Sequence, residues 1–161
     1  MPRVEHSFIF SDPAVRVWRV ISDISHWDDL WRHDTLFTSF KPHYESEGSK
    51  PLAPSTRFTV SNRSRILQTW EIAQWRPPDL LEARLVRLHI PFLQAEAFFR
   101  VQIKALDVSS SQVHLILDSK ATRPSAAAFL SENALARRGM DSALSRLAER
   151  LTLLLDELGN A

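Results

Sequence analysis

The chain has 161 residues, 44% of them hydrophobic and 24% charged, with 20 Lys+Arg against 19 Asp+Glu for a net charge of +1 at pH 7. Those values describe a globule with enough chain for one sizeable core, expected as a single domain over residues 1–161, and they give no field that would draw nucleic acid or acidic lipid. Cysteine is absent, which removes disulfides, thiolate metal sites and cysteine nucleophiles, and the three glycines leave no phosphate-cradling loop.

Val4 to Phe10 has the β-branched and aromatic content of a strand. Ser11-Asp12-Pro13 then supplies a cap and a first-turn proline for a helix whose Ala14, Val17, Trp18 and Ile21 form one stripe. A second short helix is expected over Ser25 to His33, with Trp27 and Trp31 one turn apart on the same face. Beyond it the texture turns to strands: Leu36 to Tyr44, then, after a polar loop from Glu45 to Ser55, Arg57 to Asn62, Ile66 to Trp75, Leu80 to Ile90, Leu93 to Leu106 and Gln112 to Thr122. Short connections between the last five imply antiparallel hairpins. No segment reaches the roughly 20 apolar residues of a bilayer span. Glu5 and His6 interrupt the start, so no signal peptide is visible and the expected location is the cytoplasm.

Strand phase follows from the turns. Arg76-Pro77-Pro78-Asp79 would pair Gln74 with Leu81, Ile72 with Ala83, Trp70 with Leu85 and Glu71 with Arg84. Arg63-Ser64-Arg65 would group Phe58, Val60 and Asn62 with Ile66, Gln68 and Trp70. In the long strand Leu93, Ala95, Ala97, Phe99, Val101 and Ile103 alternate with polar residues, Phe98 excepted. One sheet face is therefore apolar and the other charged, as in a curved antiparallel sheet with a wet side. The phase of Leu36 to Tyr44 stays open, since Leu36, Thr38 and Phe40 compete with Phe37, Ser39 and Lys41.

The chain ends in a long helical segment from Pro124 to Leu158. Met140, Leu144, Leu147, Leu151, Leu154 and Leu158 recur at steps of four and three, on one helical stripe. Ser125 fits an N-cap, Gly159 fits a C-terminal stop, and Gly139 is a place for a kink or a split. Such a helix would run to ~50 Å, so something broad has to wrap its stripe.

This order of elements resembles the START-related, helix-grip superfamily, which includes polyketide cyclase/dehydratase-like proteins, lipid carriers and plant pathogenesis-related proteins. Local likenesses lie in the run Asp12 to Asp23, in Trp27 with Trp31, in Trp70-Glu71-Ile72 leading to Pro77-Pro78, and in Ala143 to Leu151. Ser55 departs from the pattern, standing where the family often has a glycine before its third strand. The resemblance implies an α+β helix-grip fold: a curved antiparallel sheet of about seven strands around a long C-terminal helix, with two short helices after the first strand. It further implies a cavity between sheet and helix for a hydrophobic ligand such as a lipid, quinone or polyketide-like molecule.

The expected cavity lining is Trp27, Trp31, Phe58, Gln68, Trp70, Ala83, Leu85, Ala97, Phe99, Met140 and Leu144. The tryptophans read first as core packing, which is compatible with one ring walling the cavity mouth, and the space above Ala83, Ala95 and Ala97 reads equally as filled by the helix. Gln68 and Asn62 read as structural amides or as polar contacts. Arg87 and His89 share a phase with Leu85, so they are the one cation–imidazole pair nominated for a catalytic role, while a slip of one residue would put both in solvent. His33 and Asp34 with Asp28 and Asp29 lack the spacing of a metal site, and neither metal nor cofactor is expected. Three functional classes remain: a hydrophobic-ligand carrier, a cofactor-free cyclase, aromatase or dehydratase acting in the same cavity, and a protein-interaction module.

Overall fold

The structure, a computed structural model, describes residues 3–31, 33–34, 39–40, 42–91, 94–121 and 134–160. Its frame is a seven-stranded antiparallel sheet in the order β1-β9-β8-β7-β6-β5-β4. The strands are β1 (Arg3–Phe10), β4 (His43–Ser46), β5 (Arg57–Asn62), β6 (Arg65–Arg76), β7 (Leu80–Leu88), β8 (Ala95–Ala105) and β9 (Ser111–Ala121). Two short helical pieces follow β1: α1 (Ala14–Ile21), then a 3₁₀ turn (Ile24–His26) running into α2 (Trp27–Leu30). The chain closes with α3 (Ala134–Gly159), unbroken through Gly139. Pro124 and Ser125 lie outside the described residues.

The segment expected as one strand from Leu36 to Tyr44 is instead divided. β2 (His33–Asp34) and β3 (Ser39–Phe40) form a separate small ladder, and the chain then joins the main sheet through β4, pairing Tyr44 with Val60. The second helix is also shorter than expected. It ends at Leu30, and Trp31 occupies its C-cap with φ −100° and ψ 13°, so the two tryptophans do not share a helical face.

Helix α1 buries Ala14, Val17, Trp18, Val20 and Ile21. Asp12 makes no cap to a backbone N–H there; its carboxylate accepts from Arg16, whose guanidinium also donates to the carbonyl of Leu155. That second bond places a cation near the C-terminal end of α3, where the helix dipole is negative. On the other side of the grip, His6 of β1 donates to the Asp141 carboxylate at 2.6 Å.

The buried line of α3 is Leu144, Leu147, Leu151 and Leu155, with Leu154 half-buried and Leu158 exposed. A strict three–four repeat predicts Leu154 and Leu158. A straight helix of 3.6 residues per turn drifts about 20° per heptad from that repeat, which carries the contact line on to Leu155. The side chain of Met140 lies outside the described residues.

The outer sheet face is laced by ion pairs. Glu71 accepts from Arg84 (2.7 Å) and Arg57 (3.2 Å), which hold its carboxyl below the ordinary range, and Arg100 reaches both Glu82 and the ring of Phe98. That contact accounts for the one aromatic residue on the otherwise polar side of β8. At the loop before β5, Ser55 adopts φ 65°, and its N–H donates to the Ile72 carbonyl at 2.9 Å. The left-handed conformation is the one that glycine takes without cost.

Candidate functional site

The inner face is assembled by cross-strand rows. Phe58, Trp70 and Leu85 form one row, and Ala83, Phe99 and Leu117 another. The expected pairs Ile72–Ala83, Trp70–Leu85 and Glu71–Arg84 are present. Three register shifts interrupt the rest, and each moves side chains between faces because the side-chain period of a strand is two.

The first shift, near Val60, pairs Ile66 with Ser61, so Ile66 leaves the inner face and is 46% exposed. A second makes Ala73 an extra residue. Gln74 then pairs with Glu82 rather than Leu81, and Trp75 takes the place opposite Leu81, where its ring meets Trp18 edge-on at 5.1 Å. The third makes Val86 an extra residue, and it corrects the phase expected for Arg87 and His89. Arg87 pairs with Thr69, on the face of Glu71 rather than that of Trp70, and is exposed. His89 follows it: its Nε2 lies 2.8 Å from the Thr69 hydroxyl and its N–H donates to the Leu67 carbonyl. Leu88 takes the inner position beside Gln68.

Burial divides the inner face into two ends. Where the hairpins β6–β7 and β8–β9 turn, Leu81, Val101 and Leu115 are fully buried in one core with residues of α1 and α3, and Ala83 is 1% exposed. Toward the opposite end Leu85, Ala97, Phe99 and Leu117 are only half-buried. The ladder between β7 and β8 stops at Arg84–Phe98, yet β7 continues along β6 to Leu88 and β8 along β9 to Ala95. The central strands thus part at the end where apolar side chains remain uncovered.

The expected lining residues distribute unevenly over this surface. Trp27 is core: it is 2% exposed, its indole N–H donates to the Ile21 carbonyl at 2.8 Å, and its ring meets Tyr44 and Phe58 edge-on. Trp31 instead stands over Phe99, with ring centroids 4.6 Å apart, and is half-buried. Phe58 stacks on Trp70 at 6.4 Å, and both are largely covered. Leu144 and Ala83 belong to the closed core. Trp31, Leu85, Ala97, Phe99 and Gln68 are the members that lie half-buried at the end where β7 and β8 part.

Polar groups on this face are few. The Trp70 indole N–H donates to Gln68 Oε1 at 2.8 Å. Tyr44 shares a cross-strand row with Val60 and Gln68. Burial, reinforced by the negative charge of Asp28, pushes its phenol well above the ordinary value of 10.0. Asp28 itself is committed to β4, accepting from the Tyr44 N–H at 2.8 Å and from His43 at 2.6 Å. The side chains of His33 and Asp34 lie outside the described residues. Sequence reasoning missed Trp75 and Leu88 because it carried a period of two through bulges that leave no local signature. Tyr44 was hidden in the strand of open phase.

No family model matches the sequence, and no curated protein matches it. Solved structures do match in fold. The di-domain ARO/CYC BexL from the BE-7585A biosynthetic pathway aligns with a TM-score of 0.69 at 14% identity over 100% of this chain and 48% of that one. The chain thus spans about half of that protein. A START superfamily protein from Mycobacterium smegmatis aligns at 0.62 with 14% identity over 97% and 98% of the two chains. A Thalictrum norcoclaurine synthase point mutant in complex with a transition state analogue aligns at 0.66 with 12% identity over 98% and 95%. The fold is START-like and helix-grip, and at such identities the likeness concerns the fold alone.

Proposed function

We propose that this protein binds a hydrophobic small molecule, of lipid, quinone or polyketide-like type, between the inner sheet face and α3, with access at the end where β7 and β8 part. The observation that carries this reading is the half-buried group of Trp31, Leu85, Ala97 and Phe99 at an opening in the sheet, beside a closed core built from the same strands. Concave, mostly apolar surfaces with a few polar groups are the usual form of a ligand site. In support, one protein of this fold holds a transition state analogue and another is an ARO/CYC of a biosynthetic pathway.

The carrier reading is favoured over the cyclase or dehydratase one because the pair nominated for acid–base work, Arg87 and His89, lies on the outer face. A net charge of +1 supplies no attraction to nucleic acid. Among the described residues no helix is long and apolar enough to cross a membrane, and the compartment proposed is the cytoplasm. Native mass spectrometry of the purified protein is the test. A stoichiometric adduct of hydrophobic character, released on denaturation, is the expected result. An empty protein that also fails to take up any naphthalene-sized probe at one per chain would overturn the reading.

A further inference from the structure

Gln68 is a polar side chain on an apolar, half-buried wall, and the chemistry of its neighbour fixes how it is oriented. The Trp70 indole nitrogen is only a donor, so the Gln68 atom 2.8 Å from it has to be the amide oxygen. The amide nitrogen is then turned away from Trp70. It has no hydrogen-bond partner among the described residues. Trp70 is itself held, since its ring stacks on Phe58 and is 9% exposed. The register places Gln68 between Val60 of β5 and Leu88 of β7, and neither of these flanking side chains offers an acceptor.

We propose that Gln68 is the specificity-determining residue of the cavity, with Trp70 as its positioning residue, and that the ligand carries an acceptor oxygen, in the chemical class of an aryl or alkyl ketone, which receives the Gln68 Nε2–H. This rests on the ligand-binding reading above and adds a selection rule to it. An apolar body covering the wall removes water from the amide, and a ligand lacking an acceptor leaves that donor unpaired. A buried donor without a partner costs more than a made hydrogen bond gains, so the site discriminates chiefly by rejecting the hydrocarbon. An orientation locked by the indole keeps that donor from rotating to present its oxygen.

The experiment compares two probes of nearly equal shape, 2-acetylnaphthalene and 2-isopropenylnaphthalene, which differ in C=O against C=CH₂. Titrations read the ratio of their dissociation constants in the wild-type protein, in Gln68→Met and in Gln68→Glu, with melting temperatures recorded for each. Gln68→Met removes the amide at similar length. Gln68→Glu still accepts from Trp70 but presents a second oxygen where the donor stood. The preference for the ketone is expected to fall about 3–10-fold in Gln68→Met, the scale of one hydrogen bond. In Gln68→Glu the fall should be as large or larger, although the indole contact survives.

A merely structural glutamine predicts the reverse pattern, with Gln68→Glu retaining the wild-type ratio. That result, with both probes still bound, would overturn the assignment of Gln68 and leave the cavity standing. Binding of neither probe to the wild-type protein would overturn the cavity itself. A ratio in Trp70→Phe that drops partway toward that of Gln68→Met would support the positioning role, and an unchanged ratio there would refute it.

Discussion

Two alanines on the inner face should respond in opposite ways to the same added ring. Ala83 is 1% exposed and lies in register with both Ile72 and Phe99, so its surroundings are already packed. Ala97 is half-buried, pairs with Ser119 on one side only, and faces the stretch where β7 has left the ladder. Overpacking a filled core costs about 1–3 kcal/mol. For a domain of this size each kcal/mol moves the melting temperature by about 2–4 °C. Ala83→Phe should therefore lower the melting temperature by about 2–12 °C. Ala97→Phe should stay within about 0.5 kcal/mol of wild type, as a change at an unpacked position does, while abolishing uptake of 2-acetylnaphthalene. Thermal melts and a probe titration on the two variants are sufficient. If Ala97→Phe melted as low as Ala83→Phe, the open end would be packed and no cavity would exist there. If it melted normally and still bound the probe, the ligand site would lie elsewhere.

The chain's sole tyrosine makes Tyr44 readable by absorbance near 295 nm. In the unfolded chain the phenol ionises near pH 10, while burial and Asp28 keep the folded one protonated above that. The folded state then binds more protons in that window, so stability is intact below about pH 10 and falls at higher pH by roughly 1.4 kcal/mol per unit. Tyrosinate absorbance that rose before unfolding would refute this. Leu151→Ala should cost about 2–5 kcal/mol, whereas Leu158→Ala should stay within about 0.5 kcal/mol; equal losses in urea melts would return the contact line to the strict repeat. Ser55→Gly should stabilise by up to about 1 kcal/mol, the left-handed backbone relieved exceeding the entropy that glycine adds. A variant melting clearly below wild type would show that the Ser55 side chain matters more than its φ of 65°.

What the sequence conveyed was whatever repeats with a fixed period. The α1 stripe of Ala14, Val17, Trp18 and Ile21 is buried as its spacing requires, and the hairpin pairs from Trp70–Leu85 to Ile72–Ala83 are in place. Element order carried the fold. Trp31 and Phe99, both nominated from the sequence, do meet edge-on at 4.6 Å, since a residue just past a short helix and one on the inner phase of a long strand face the same space. Membership of the inner face was lost wherever a strand gained a residue. Nothing in Gln-Thr-Trp-Glu-Ile-Ala-Gln-Trp announces that Ala73 is extra, since a bulge is decided by sheet curvature, a property of all strands together. The division of Trp27 from Trp31 was similarly invisible, because it depends on α2 stopping after a single turn.

The extra residue at Val86 ties these losses to the proposed function. A bulge bends its strand and disrupts pairing, and here the β7–β8 ladder ends at Arg84–Phe98, two residues before it. One inserted position thus accompanies both features that matter at this end: the parting of the sheet beside Leu85 and Ala97, and the turn of Arg87 and His89 to the outer face. The register shift that accompanies the parting of the sheet is the same one that turns Arg87 and His89 away from the inner face. What is left facing inward at this end is apolar surface with the Tyr44 phenol, the Gln68 amide and the Ser119 hydroxyl, while the inner-face imidazole of His6 is tied to Asp141. Under the proposed reading such a site would recognise an oxygen on a hydrophobic body without a charged acid or base from Arg87 or His89, so the register, beside the fold, supports the carrier proposal.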